Sequence, residues 1–150
     1  MFKKVCIIGC GLIGSSLARA MRKKNISEKI VSSNRSDTTN KKVLELKIVD
    51  DSSVDTKEMV NGSNLVVIAA PLSSYENIIL KIKDSLKSGM ILTDVGSVKK
   101  NVINLVEKYI PKDVSWISSH PIAGTEESGP ESGFSELFKN KWCILTPSKK

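Results

Sequence analysis

"KKVCIIGCGLIGSSLARA", residues 3–20, changes hydrophobic rhythm halfway along. Val5, Cys6, Ile7 and Ile8 form an apolar run with no polar alternation, the pattern of a strand covered on both faces. Gly9, Gly11 and Gly14 interrupt it. From there Ile13, Leu17, Ala20 and Met21 recur close to the 3.6-residue period of a helix. The stretch also imitates a secretory leader, with a basic start at "MFKK" and an A-x-A at Ala18–Ala20. Three glycines inside the apolar run and Arg19 at the would-be cleavage point argue against that reading.

Beyond this opening, strand and helix patterns largely alternate. "EKIVSSN" reads as a strand and "TTNKKVLELK" as a charged helix. "SNLVVIAAP" is the strongest strand, apolar on both faces and stopped by Pro71. Tyr75, Ile78, Ile79, Ile82 and Leu86 mark one face of an amphipathic helix. "GMILTDVG" is a further strand, and Val98, Val102, Leu105 and Val106 line a helix ending before Pro111. "VSWISSH" and "KWCILTP" are the last two strands, and the closing "PSKK" stands where a linker to another domain is expected. The expected fold is therefore α/β: a Rossmann-type, doubly wound, mainly parallel sheet with helices on both faces. A chain of 150 residues suits one such domain.

The 23 Lys and Arg against 16 Asp and Glu give a net charge of +7, which suggests an anionic partner. The basic residues are scattered and lack interleaved aromatics, so a solvated Lys-rich surface is expected rather than nucleic-acid binding. No segment reaches the roughly 20 apolar residues that span a bilayer, so no membrane partner is expected. Cys6, Cys10 and Cys143 form no CxxC pair, and one histidine cannot complete a zinc set. No metal is expected, and the cytosol is the expected compartment.

"GCGLIG" places Gly9, Gly11 and Gly14 in the G-x-G-x-x-G pattern, directly after a strand and at the start of a helix. Gly9 permits the tight turn, Gly11 lets a pyrophosphate approach the backbone, and Gly14 lets the helix pack on the sheet. The free N–H groups around Leu12 and Ile13, at the positive end of the helix, then hold the phosphates. At the end of the second strand, where NAD-binding folds place an acid for the ribose 2′-OH, stand Asn34, Arg35 and Ser36. No carboxylate repels a 2′-phosphate there, and Arg35 with Ser36 suits one, so NADP is favoured over NAD. Arg35 is equally compatible with adenine stacking or plain solvation. Asp37, the nearest acid, belongs to the start of the next helix, where capping explains it.

Four stretches, "GCGLIGSSLA", "VVIAAPLSSY", "ILTDVGSVK" and "SSHPIAGTEESG", occur in this order. Together they resemble the prephenate/arogenate dehydrogenases of tyrosine biosynthesis, over essentially the whole chain. The resemblance implies an oxidative decarboxylation. Hydride leaves the hydroxyl-bearing ring carbon of prephenate or arogenate for NADP or NAD, and loss of CO₂ makes the ring aromatic. It also implies that His120 accepts the ring-hydroxyl proton. An unperturbed imidazole titrates near pH 6.5 and is able to accept in neutral solution. By the same resemblance, Ser97 hydrogen-bonds near the nicotinamide and the histidine, although a serine before a helical run also suits an N-cap. Glu126 corresponds to the mouth of the substrate pocket, with Gly124 and Thr125 shaping the loop. Ala69, Ala70, Pro71 and Leu72 line the cofactor groove. The family continues into a mostly helical second domain that forms a homodimer and supplies cations for the substrate carboxylates. Lys99, Lys100 and Lys139 are the cations available here, with no spacing that assigns them.

Two other readings share part of this pattern. A β-hydroxyacid dehydrogenase or related reductase has the glycines and the "AAP" stretch, but usually relies on a lysine in a later helical domain. A non-catalytic nucleotide-binding module would bind the cofactor without turning over either substrate.

Overall fold

The apolar run at the start of the chain lies in the middle of the sheet. Strand β1 (Phe2–Ile8) pairs in parallel with β2 (Ser27–Ser33) on one side and β4 (Leu65–Ile68) on the other. The computed structural model describes residues 1–147. Its seven strands, completed by β3 (Asp51–Ser53), β5 (Ile91–Asp94), β6 (Ser115–Pro121) and β7 (Cys143–Pro147), run in the order β3-β2-β1-β4-β5-β6-β7. Every neighbouring pair is parallel except β6 and β7. This is the doubly wound, Rossmann-type sheet expected, with its reversal of strand order between β1 and β4.

Side chains alternate across the strands and feed two cores. Cys6, Ile8, Val66, Ile68, Leu92 and Trp116 pack with helices α3 (Thr56–Val60), α4 (Tyr75–Ile82) and α5 (Lys100–Tyr109). Val5, Ile7, Ile30, Leu65 and Val67 pack on the opposite face with α1 (Leu12–Lys23) and α2 (Asp37–Glu45). Both faces are covered, which is why the central strands read as continuous apolar runs.

The differences from expectation have local causes. Strand β3 is Asp51-Ser52-Ser53, with no apolar period to announce it; it exists because it pairs with the edge of β2, where the Ser32 and Ser52 hydroxyls meet at 2.7 Å. Helix α3 has five residues, started by Asp55, whose side chain accepts the N–H groups of Lys57 and Glu58. Val98 lies ahead of α5 and is 49% exposed, so it does not line that helix. In α1 the apolar residues Leu17 and Met21 are only partly buried, while Gly14, Ser15, Ser16 and Ala18 lie deepest. Small residues are needed there. The connection between β6 and β7 presses on α1 so closely that a Cβ on Gly133 would come within 2.1 Å of the Ser15 hydroxyl. The Phe134 N–H donates to Ser16 Oγ at 3.1 Å, and Lys23 pairs with Glu136. Of the "PSKK" stretch expected to begin a linker, residues 148–150 lie outside the described residues. Among the described residues no helix is long and apolar enough to cross a membrane.

A Cβ on Gly14 would stand 2.2 Å from the Gly9 carbonyl oxygen. Alanine normally stabilises a helix over glycine by about 1 kcal/mol, but here the overpacking term has the opposite sign. Gly14→Ala is expected to lose about 1–3 kcal/mol of stability, read from urea unfolding by circular dichroism. A gain instead would show that α1 and the turn do not press on one another.

Candidate active site

The turn after β1 is shaped by contact with β4. Gly9 has φ +94°, and a Cβ there would meet the Ala69 carbonyl and the Ala70 nitrogen at 2.9 Å. A Cβ on Gly11, by contrast, would meet nothing within 4 Å, so the backbone is open to a ligand. Helix α1 begins directly after it with no side-chain cap and no acid in its first turn. Its leading N–H groups and positive end are therefore left for an anion.

A cleft of about 1000 Å³ opens at this point, across the carboxyl ends of β1 and β4. Residues 9–13 form one wall, Asn34, Arg35 and Ser36 the end beside β2, and residues 69–72 the opposite wall, with Ser97 following β5. Gly14 lies outside the wall, under the turn. The sequence reading missed Thr39, Asn77, Lys81 and the segment Glu127–Pro130, which also line the cleft. Thr39, Asn77 and Lys81 belong to no spaced motif, whereas Glu127, Ser128 and Gly129 close the "SSHPIAGTEESG" stretch, of which only His120, Gly124, Thr125 and Glu126 were singled out.

Asn34 has a more specific place than its position in "SSNRS" suggests. Buried at 7% exposure, it accepts the Cys10 N–H at 2.6 Å. Its amide nitrogen donates to Ser32, Asn40 and Ser52 at 3.2, 2.9 and 3.3 Å. The side chain thus ties the glycine turn to β2. Ser36 caps α2 by accepting the Thr39 N–H at 3.2 Å, and Asp37 occupies the first turn of that helix. Arg35 is exposed at the cleft with no ion-pair partner among the described residues. The acid on the cleft wall is Glu127.

The chain neighbours of Ser97 and His120 are held by one buried carboxylate. Asp94, at the end of β5, has no solvent exposure. It accepts from the Lys99 ammonium at 2.8 and 3.0 Å, the Gly96 N–H at 3.0 Å and the Tyr75 hydroxyl at 3.2 Å. From β6 it accepts the Ser118 hydroxyl at 2.9 Å and the Ser119 N–H at 3.0 Å. Lys99 also donates to the Ser119 carbonyl at 2.7 Å. Burial, reinforced by the neighbouring Asp94 carboxylate, pushes the Tyr75 phenol pKa upward. Lys99 is therefore committed and is not a spare cation for substrate, whereas Lys100 and Lys139 are exposed.

Ser97 stands between Gly96 and Lys99, exposed and on the cleft wall. It caps nothing: the residue before α5 is Lys99, and no side chain caps that helix. His120 is half-buried near the end of β6, opposite Ile144 of β7. It stands outside the cleft wall, immediately after the two serines held by Asp94. Glu126 is exposed and also outside the wall, which its neighbour Glu127 joins. Thr125 turns the loop by accepting the Glu127 N–H at 3.2 Å, and Gly124 is exposed beside it. Among the described residues no group of three or more His, Cys, Asp or Glu side chains is placed to hold a metal ion.

A parallel sheet that reverses order at an uncapped glycine turn, with a long cleft across the reversal, defines a dinucleotide-binding domain. The chain belongs to the prephenate dehydrogenase family: residues 17–150 match the family model described as "Prephenate dehydrogenase, nucleotide-binding domain". It is 35% identical over 147 residues to a cyclohexadienyl dehydrogenase of Zymomonas mobilis, covering 98% of this chain and 50% of that protein. It is 31% identical over 150 residues to a prephenate dehydrogenase of Bacillus subtilis, covering 97% of this chain and 40% of that one. The crystal structure of prephenate dehydrogenase from A. aeolicus, in complex with hydroxyphenyl propionate and NAD+, superposes with a TM-score of 0.90 at 29% identity. That match covers all of this chain and 52% of the other. The chain thus spans about half the length of the relatives it matches.

Three outcomes follow from this geometry. Asn34→Ala leaves the buried Cys10 N–H without its acceptor, which costs about 1–3 kcal/mol. Urea unfolding should show that loss, and dinucleotide affinity, followed by fluorescence titration, should weaken. Burial pushes the Cys6 and Cys10 thiols up to about 12, while Cys143 is exposed. At pH 8 a thiol reagent should label one cysteine per folded chain at once and the other two only on unfolding. Because those two pKa values are raised from 9.0, the protonated thiols' contribution to stability is complete below pH 9 and is lost as pH rises toward 12.

Proposed function

We propose that this chain is the cofactor-binding part of an oxidoreductase that oxidatively decarboxylates prephenate and/or arogenate, the tyrosine-forming branch of aromatic amino-acid biosynthesis. The observation that supports the reading is the Asp94 cluster, which holds the turn bearing Ser97, on the wall of the cleft, to the strand end that precedes His120, outside that wall. Family membership supports the same reaction, and the A. aeolicus relative is described with both an aromatic acid and NAD+ bound.

In this reading the nucleotide's phosphates rest on the backbone of residues 9–13, where a Cβ at Gly11 would find only open space. A bound nicotinamide supplies the hydride acceptor. His120 takes the proton of the ring hydroxyl as the carbon bearing it is oxidised. The carboxylate on the opposite ring carbon leaves as CO₂, and its bonding electrons complete the aromatic ring. Ser97 orients the reacting groups by hydrogen bonding, and Glu126 stands at the entrance to the substrate site. NADP is the favoured nucleotide and NAD the alternative. Arg35 is free at the cleft, and Asn34, which takes the position of the usual acid, spends its amide on the glycine turn. The remainder of the enzyme is a helical domain that dimerises and binds the substrate carboxylates. Three unpaired cysteines suit a reducing compartment such as the cytosol.

A spectrophotometric assay of the complete protein, crossing prephenate and arogenate with NADP+ and NAD+, tests the reading. His120→Asn should lower turnover by about 10²–10⁴-fold with nucleotide binding retained; unchanged turnover removes His120 from this role. Arg35→Ala should raise KM for NADP+ about tenfold, the loss of one charge-assisted contact, and leave NAD+ unaffected. Nucleotide binding without turnover of either substrate would identify a non-catalytic module instead.

A further inference from the structure

The backbone ladder between β5 and β6 stops too early to position His120. Its last paired residues are Thr93 and Ile117, three positions before the histidine. Beyond that point β6 is held to β5 by other bonds. The Asp94 carboxylate takes the Ser118 hydroxyl and the Ser119 N–H, and the Ser119 hydroxyl donates to the Asp94 carbonyl at 2.5 Å. The same carboxylate takes the Gly96 N–H and the Lys99 ammonium, the two residues on either side of the Ser97–Val98 pair. Tyr75, rooted in α4, fixes the carboxylate from below, donating to Asp94 at 3.2 Å and to the Ile68 carbonyl at 3.3 Å. Among the side chains of the cluster, that of Lys99 is 17% exposed and that of Asp94 is fully buried.

We infer that Asp94 is the positioning residue for the reaction: one buried anion sets the separation between Ser97 and His120 without touching substrate or cofactor. The inference rests on the reading of Ser97 and His120 given above. A bare β-ladder ending at Ile117 would leave the histidine tethered on one side only, through the antiparallel pairing of β6 with β7. A carboxylate is required because the site presents donors from three directions, including an ammonium. An amide in its place would point its own N–H₂ at one of those donors. Among the described residues, the backbone of residues 9–13 shares no hydrogen bond with this cluster, which reaches the cleft wall only at Gly96, so phosphate binding and turnover separate.

The test compares Asp94→Asn and Ser118→Ala with the parent in the complete enzyme, measuring kcat, substrate KM and nucleotide Kd. Asp94→Asn should lower kcat by about 10²-fold, the effect of misplacing a reacting group by about 1 Å. Ser118→Ala, which removes one bond and no charge, should lower it about fivefold. Nucleotide Kd should stay within about threefold of the parent in both, since the phosphate-binding backbone is untouched. A folded variant with parental kcat overturns the inference, as does a parallel loss of kcat and nucleotide binding. A second readout needs no turnover. The His120 imidazole signal, labelled at Cε1 and assigned by its absence in His120→Asn, should shift or broaden in Ser118→Ala. A signal superposed on the parent's overturns the inference even if Asp94→Asn fails to fold. Should the parent act on neither substrate, the functional reading alone falls, and this signal still decides whether Asp94 places the imidazole.

Discussion

The whole arrangement depends on how closely three backbones approach at one point. Where β1 ends, the chain turns so close to the residues after β4 that a Cβ on Gly9 would stand 2.9 Å from Ala69 and Ala70, and it then lays α1 against the Gly9 carbonyl. Only residues without a Cβ permit both contacts, so two glycines set the angle at which the helix leaves the sheet. That angle aims the uncapped end of α1 into the cleft, and the cleft is where strand order reverses. Asn34 completes the constraint from the β2 side by holding Cys10. The wall that the glycine turn gives the cleft is thus fixed through sterics and one amide, not through any charged side chain.

The second organising element is electrostatic. A fully buried carboxylate is costly unless its oxygens are satisfied. Asp94 meets that condition with donors drawn from α4, the turn before α5, and β6. The two elements divide the work. The glycine turn shapes one wall of the cleft, and the carboxylate ties the turn after β5 to the end of β6.

Much of this could be read before any coordinates. The covered strands announced themselves because burial on both faces leaves no polar alternation, as at residues 5–8 and 65–68. The glycines and the end of β4 were legible because their spacing states a backbone requirement. What stayed hidden depended on partners distant in sequence. Strand β3 has no apolar residue, and only pairing with β2 makes it a strand. Asn34 looked like a residue facing the nucleotide, but its bond to Cys10 spans 24 positions. Lys99 looked like a spare cation because its commitment follows from the burial of Asp94 five residues earlier. The second reading of Ser97, as a cap, fails because α5 begins at Lys100.

The long connection after His120 has a mechanical consequence. It leaves β6 beside the histidine, passes the cleft at Glu127–Pro130, and is then clasped to the back of α1 by Gly133, Phe134 and Glu136. A segment moored at both ends behaves as a fixed parapet instead of a swinging door.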